Sequence, residues 1–208
     1  CVMSIVTYNN RSIANISAVP GAAKALTHIK TFTASSSSTL SFVNGSDDVV
    51  LDSTYPIYVF KFINIHPSAS AKLGVNFSDD TSSHSYDITK TNTLFNVQHD
   101  EADSYGEIAY SANDDLAQST SDMPLSPGST HTNNDDNLNG FLHLFNPSST
   151  TFVKHFIATV SHSASAAQNQ CFAAGYCNTT AAVTAVRFKF ASGNIDAGTI
   201  KLYGLKDS

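Results

Sequence analysis

The chain has no tryptophan, 2 glutamates in 208 residues, and only 13% of its residues from Asp, Glu, Lys and Arg. That charged share is about half the usual one. Solvated helices draw heavily on Glu and Lys, so a helical bundle or coiled coil is not expected. The 11 Lys and Arg are outnumbered by 17 Asp and Glu, for a net charge of −6. No basic excess remains to displace counterions from a nucleic acid, so no nucleic-acid partner is expected. No run of 18 apolar residues occurs, so no membrane-inserted helix is expected, and no basic-then-apolar leader is visible. Three cysteines make no disulfide framework. Cys171 and Cys177 either bridge a short loop or stand as two thiols, and Cys1 is the odd one out.

What the chain does have is polar but uncharged. Ser, Thr and Asn number 29, 20 and 17, and 13 Phe with 8 Tyr supply core material that a disordered chain would lack. This length suits one domain, or at most two small ones, and can bury roughly 70% of the unfolded surface.

The periodicity is that of strands. Ala25–Thr33 sets Leu26, His28, Lys30 and Phe32 on one face, and Thr39–Val43 stops at the turn dipeptide Asn44-Gly45. Val49–Leu51 begins another strand. Tyr55–Ile65 is the strongest, with Ile57, Val59, Ile63 and Ile65 alternating with Tyr58, Phe60 and Phe62. Two apolar faces call for a central strand or a strand buried against a partner subunit. His66-Pro67 is expected to end it, and Leu73–Phe77 to pair back as a hairpin. Residues 78–139 are the least regular third, with apolar islands at Ile88, Leu94–Val97 and Ile108–Tyr110. Residues 114–139 read as a long polar loop. Gly140–Asn146 and Phe152–Val160 form a hairpin, followed by Ala182–Ala191 and Thr199–Leu205. Nine or ten short strands, broken by Gly, Ser, Asn and Pro, predict an all-β antiparallel β-sandwich, jelly-roll-like.

Four stretches carry a resemblance. They are Tyr55–Pro67 (YPIYVFKFINIHP), Gly140–Thr150 (GFLHLFNPSST), Phe152–Phe156 (FVKHF) and Ser192–Gly204 (SGNIDAGTIKLYG). The last is the most specific. Residues 55–204 thereby resemble a family of virion surface proteins of marine phages. The resemblance implies a β-sandwich outside the particle, often a homotrimer, serving as a tail fibre, head appendage or capsid decoration. It implies contacts with other virion proteins, some role in host adhesion, and no enzyme chemistry. It also implies a division into an N-terminal attachment segment (1–50) and a sandwich (51–208), with a single continuous domain as the alternative. The rival from another class is a lectin-like carbohydrate-binding module that recognises a surface glycan.

The chemistry-bearing motifs are few. No nucleophile elbow, zinc-protease helix or phosphate loop occurs, and His66, His99 and Asp100 have no spacing that makes a triad. Asp135, Asn137 and Asn139 followed by Gly140 match the first half of a calcium loop, without the bidentate Glu at position 12, which is Asn146. Ca2+ is therefore the one cofactor to test, and none is otherwise expected. A hairpin symmetric about Ser149 would set His143 opposite His155 on one face. Among Tyr58, Tyr86, Tyr105, Tyr110 and Tyr176, an exposed ring can stack on a sugar. Tyr105 and Tyr110, with Asn133 and Asp136 of the long loop, are the candidate binding residues. Asn-x-Ser/Thr sequons occur at Asn10, Asn15, Asn44, Asn76 and Asn178.

Overall fold

A computed structural model describes residues 26–206. Among them are twelve strands and no helix. The first are β1 (Leu26–Thr33), β2 (Leu40–Val43), β3 (Ile57–Pro67) and β4 (Leu73–Ser78). The middle third holds β5 (Lys90–Asp100), β6 (Gly106–Tyr110) and the two-residue β7 (Met123–Pro124). The last are β8 (Leu138–Phe145), β9 (Lys154–Ser163), β10 (Ala167–Cys177), β11 (Ala185–Phe190) and β12 (Ile195–Leu205). They make two antiparallel sheets. One has eight strands in the order β1-β12-β3-β8-β9-β10-β5-β6, the other four in the order β2-β11-β4-β7. The fold is the expected antiparallel β-sandwich.

Alternation builds the core. On β3, Tyr58, Phe60 and Phe62 turn inward and are at most 2% exposed. Phe42 of β2 and Phe188 of β11 meet them from the small sheet. The Phe60–Phe188 and Phe62–Phe188 ring centroids are 5.3 and 5.2 Å apart. Further along, Phe77 of β4 stacks on Phe156 of β9 at 5.3 Å. Contacts of this kind add to the area burial of each ring. The two apolar faces of β3 have separate fates: Phe60 and Phe62 meet the second sheet, Val59 and Ile63 lie on the outer side, and a register shift between Phe62 and Ile65 returns Ile65 to the core.

Several expectations are corrected. β4 does not pair with β3, because β12 and β8 already occupy both edges of β3. The chain crosses at Ser68–Lys72 and β4 becomes a central strand of the small sheet, all six residues buried. β3 does end at His66-Pro67, but both residues are still paired, His66 with Ala197 and Pro67 with Ile195. Residues 49–51 form no strand, although Val49 and Leu51 are buried as core. A bulge between His28 and Lys30 breaks the simple alternation of β1, so Ile29 and Phe32 both reach the core. The hairpin of β8 and β9 is centred on Thr150, so His143 faces Ile157, not His155. The long polar loop contains β7.

β5 and β6 show in the sequence only as apolar islands, β7 falls in the stretch expected as a loop, and the strand with no signal at all is β10. Its small and amide side chains give little hydrophobic signal, yet it lies between β9 and β5. Cys171 and Cys177 are both on it, free and buried. Six residues apart on one strand is roughly 20 Å, far beyond the reach of a disulfide. A boundary at residue 50 would also cut the sandwich, since β1 pairs with β12 and β2 with β11. The weak strand expected at Ser4–Tyr8 lies outside the described residues.

The glycines of the SGNIDAGTIKLYG stretch have local causes. Gly198 has φ +107, and a Cβ there would run into the carbonyl of Asn64 and into Ile65 Cα at 2.7 Å. Gly204 lies under the ring of Tyr55, leaving no room for a side chain.

Candidate functional site

The four-stranded sheet cannot cover an eight-stranded one. The inner faces of β5, β6 and the adjoining part of β10 overhang it. Segment 111–131 partly roofs this overhang: Asn92 N donates to Leu116 O, and Thr130 is bonded to Ala71 in both directions at the start of β4. Between roof and sheet a groove of about 360 Å³ remains open. Asn96, Gln98, Glu107 and Asn169 face it from the sheet, and Gly128 and His131 from the roof.

Register explains why polar groups collect there. His162, Asn169, Gln98 and Glu107 are successive cross-strand neighbours on β9, β10, β5 and β6. Asn96 sits one inward step away on β5, opposite Cys171. Toward the middle of the sheet the same face turns apolar, with Leu94, Ala173 and Ala158 buried. Asn96 and Asn169 are each 5% exposed, so their amides have exchanged bulk water for the groove.

His162 is the least satisfied group. It is 1% exposed, and among the described residues neither ring nitrogen meets a hydrogen-bond partner in good geometry. Burial pushes its pKa down to about 4, so it is neutral at physiological pH. It lies directly beneath Gly128, where a Cβ would come within 3.4 Å of its Cε1.

The opposite end of the same inner face has a second polar row. Lys154, Cys177 and Lys90 are direct neighbours across β9, β10 and β5, and all three are fully enclosed. Lys90 Nζ donates to Ile88 O at 3.0 Å. Lys154 Nζ donates to Thr179 O and to Ala181 O. Burial holds the Lys90 pKa down at about 8 and pushes the Cys177 thiol up to about 12.

The residues singled out in the sequence divide. Tyr110, 55% exposed, lines the groove, and its hydroxyl donates to Asp115 at 2.6 Å. Tyr105 stands exposed in the β5–β6 turn, where its backbone N–H donates to Asp100. Asn133 and Asp136 bond each other at 3.1 Å. Asp136 is buried rather than exposed, and its other oxygen accepts from Ser165 N, so it fastens the loop. Tyr58 is buried with its hydroxyl on Asp52 O, Tyr86 lies under Arg187, and Tyr176 is on the outer face near His155.

Asp135 and Asn137 lie just before β8, and Asn139 is on it. Gly140, needed at the sharp turn of a calcium loop, is inside β8. Asn139 Nδ2 donates to Asn137 Oδ1, and Asn139 Oδ1 accepts from Asn64 N, so two of the three oxygens are already engaged. Among the described residues no group of three His, Cys, Asp or Glu gathers as a metal site. His66 and His99 lie on strands four positions apart in the sheet, roughly 19 Å, so they share no site. Asn76 is 2% exposed and its sequon is closed off in the fold.

The outer face of the large sheet differs in character. The outward positions of β5, β6, β8, β9 and β10 carry no Asp, Glu, Lys or Arg. Phe95, Val97, Ile108, Phe141 and Ile157 stand there between 37% and 75% exposed. Phe95 stacks on Phe172 at 4.9 Å, and these two with Ile157 line a shallow apolar hollow of about 150 Å³. His143 is held between Phe141 and Phe145, and burial lowers its pKa.

Compared with family models, curated proteins and solved structures, the chain matches none. The likeness of residues 55–204 to phage virion proteins therefore stands on its motifs alone.

Proposed function

We propose that this protein is a non-enzymatic structural component of a phage particle. It is displayed on the virion surface as a tail fibre or capsid decoration, where it takes part in adhesion to the host. Its copies associate, as homotrimers, through the outer face of the large sheet. The observation that carries the assembly is that uncharged, aromatic face. A lone soluble domain rarely leaves so contiguous an apolar patch in water. β6 adds to it as the exposed edge of the sheet, with Ile108 75% and Tyr110 55% exposed. β6 has no lysine or proline to blunt that edge; its one charge, Glu107, points to the inner face. A second copy of the chain supplies both a matching apolar face and an unpaired edge. The virion setting itself is supported by the resemblance and by the Ser, Thr and Asn-rich composition.

Sedimentation tests the assembly. The expected mass is that of three chains, and Ile108→Lys with Phe95→Lys reduces it to one 22.1 kDa chain. A natural chain that sediments as a monomer at micromolar concentration refutes it. Immunogold labelling of particles tests the setting: label on heads or on tail appendages is expected, and unlabelled particles overturn the reading. The lectin-like reading is favoured by one separate feature, the polar groove.

A further inference from the structure

We infer that the groove between segment 111–131 and the inner face of β5, β6 and β10 is a binding site for a neutral, hydroxyl-rich ligand, a saccharide without acidic groups. The sheet lines it with three side-chain amides, those of Asn96, Gln98 and Asn169. Each amide offers two donors and an acceptor carbonyl, the combination that meets adjacent sugar hydroxyls, which both give and accept. Two of these amides belong to nearly enclosed residues, and at such sites an unused polar group is costly. Among the described residues none of the three forms a side-chain hydrogen bond; Tyr110 and Glu107 bond to Asp115 and Tyr105.

The sign of the site is equally specific. Among the described residues no Lys or Arg lines the groove, and Glu107 and nearby Asp115 make it slightly negative. Phosphate, sulfate, sialic acid and uronic acid are thereby disfavoured. Tyr110 borders the groove, its hydroxyl held by Asp115. A few convergent polar groups in a concavity of this size is the usual make-up of a small-ligand site. His162 fits the same picture. It is buried beside Asn169 and beneath Gly128, with no well-formed partner for either ring nitrogen among the described residues. That makes it a reserve of hydrogen-bonding capacity directly behind the groove wall.

This inference touches the proposed function only in what an adhesive surface protein would hold, and it does not depend on assembly. The test is nuclear magnetic resonance titration of the natural chain with neutral oligosaccharides ending in glucose, galactose, mannose or N-acetylglucosamine. Sialylated and sulfated oligosaccharides serve as counter-probes. Expected are shifts of the Gln98, Asn169 and Glu107 signals with at least one neutral sugar, and affinity at least tenfold lower in Gln98→Ala and in Glu107→Ala. Both positions are solvent-accessible, so these variants fold, as unchanged melting curves will record. No groove shift with any neutral sugar at millimolar concentration overturns the inference. So does binding that survives both substitutions, or binding confined to the acidic sugars. Sedimentation of the same variants reports on assembly separately, so either reading can fail alone.

Discussion

Replacing Lys90 by Met changes how stability depends on pH, and the change can be worked out. Lys90 is fully enclosed, and its ammonium rests on Ile88 O with no carboxylate within 4.0 Å among the described residues. Its pKa falls from 10.5 to about 8, because burial disfavours the charged form. Between those values the unfolded chain holds a proton that the folded chain has released. Stability therefore rises with pH through this window and is lowest below about pH 8. For one such lysine the gain from pH 7 to pH 9 is about 1.3 kcal/mol. Met keeps the length and removes the charge, so Lys90→Met lacks this gain. Urea unfolding of both chains at pH 7, 8 and 9 is the assay. The expected result is that the variant's stability relative to the natural chain declines by about 1 kcal/mol across the series. Stopping at pH 9 matters. The Cys171 and Cys177 thiols, pushed up to about 12 by burial, keep protons in the fold that the unfolded chain releases above about pH 9. That slope has the opposite sign. A difference that stays flat from pH 7 to 9 would refute the reasoning: the amine would then reach water in the folded protein.

Other outcomes follow from the same structure. Phe188→Ala removes the ring that Phe42, Phe60 and Phe62 share, and costs about 3–5 kcal/mol in urea unfolding. His162 has its folded pKa lowered to about 4, so the unfolded chain binds the extra proton first. Stability is whole above about pH 6.5 and declines as pH falls toward 4, and His162→Leu flattens that decline in melting curves. Cys171 and Cys177 react with a thiol reagent only in denaturant, and neither gains a mutual disulfide under oxidant, which intact-mass measurement records. Gly198→Val, at φ +107 against the Asn64 carbonyl, destabilises by more than 2 kcal/mol in the same unfolding assay, about the cost of backbone strain plus a clash.

Much of this protein was decided by its sequence. Alternating aromatic and β-branched residues in Tyr55–Ile65, and Val and Phe in Ala182–Ala191, favour strands, and the scarcity of Glu left no material for solvated helices. Turn residues such as Asn44-Gly45 and Ser192-Gly193-Asn194 fixed where strands stop. Tertiary structure decided which strands become neighbours. Leu73–Phe77 fits a hairpin with β3 by pattern, but β12 and β8 come from distant parts of the chain and take both edges first. β10 was invisible because Ala, Asn, Gln and Gly have weak strand preference; it is a strand because β5 and β9 supply its hydrogen bonds from both sides. The groove was illegible for the same reason. Asn96, Gln98, Glu107, Asn169 and His162 come from four strands, and nothing local marks them as a set. Only Tyr110 among its residues was legible, as an aromatic in a polar region. A strand's alternation is local and can be read from the chain; register and sheet order depend on partners far away in sequence, and those place the polar groups side by side.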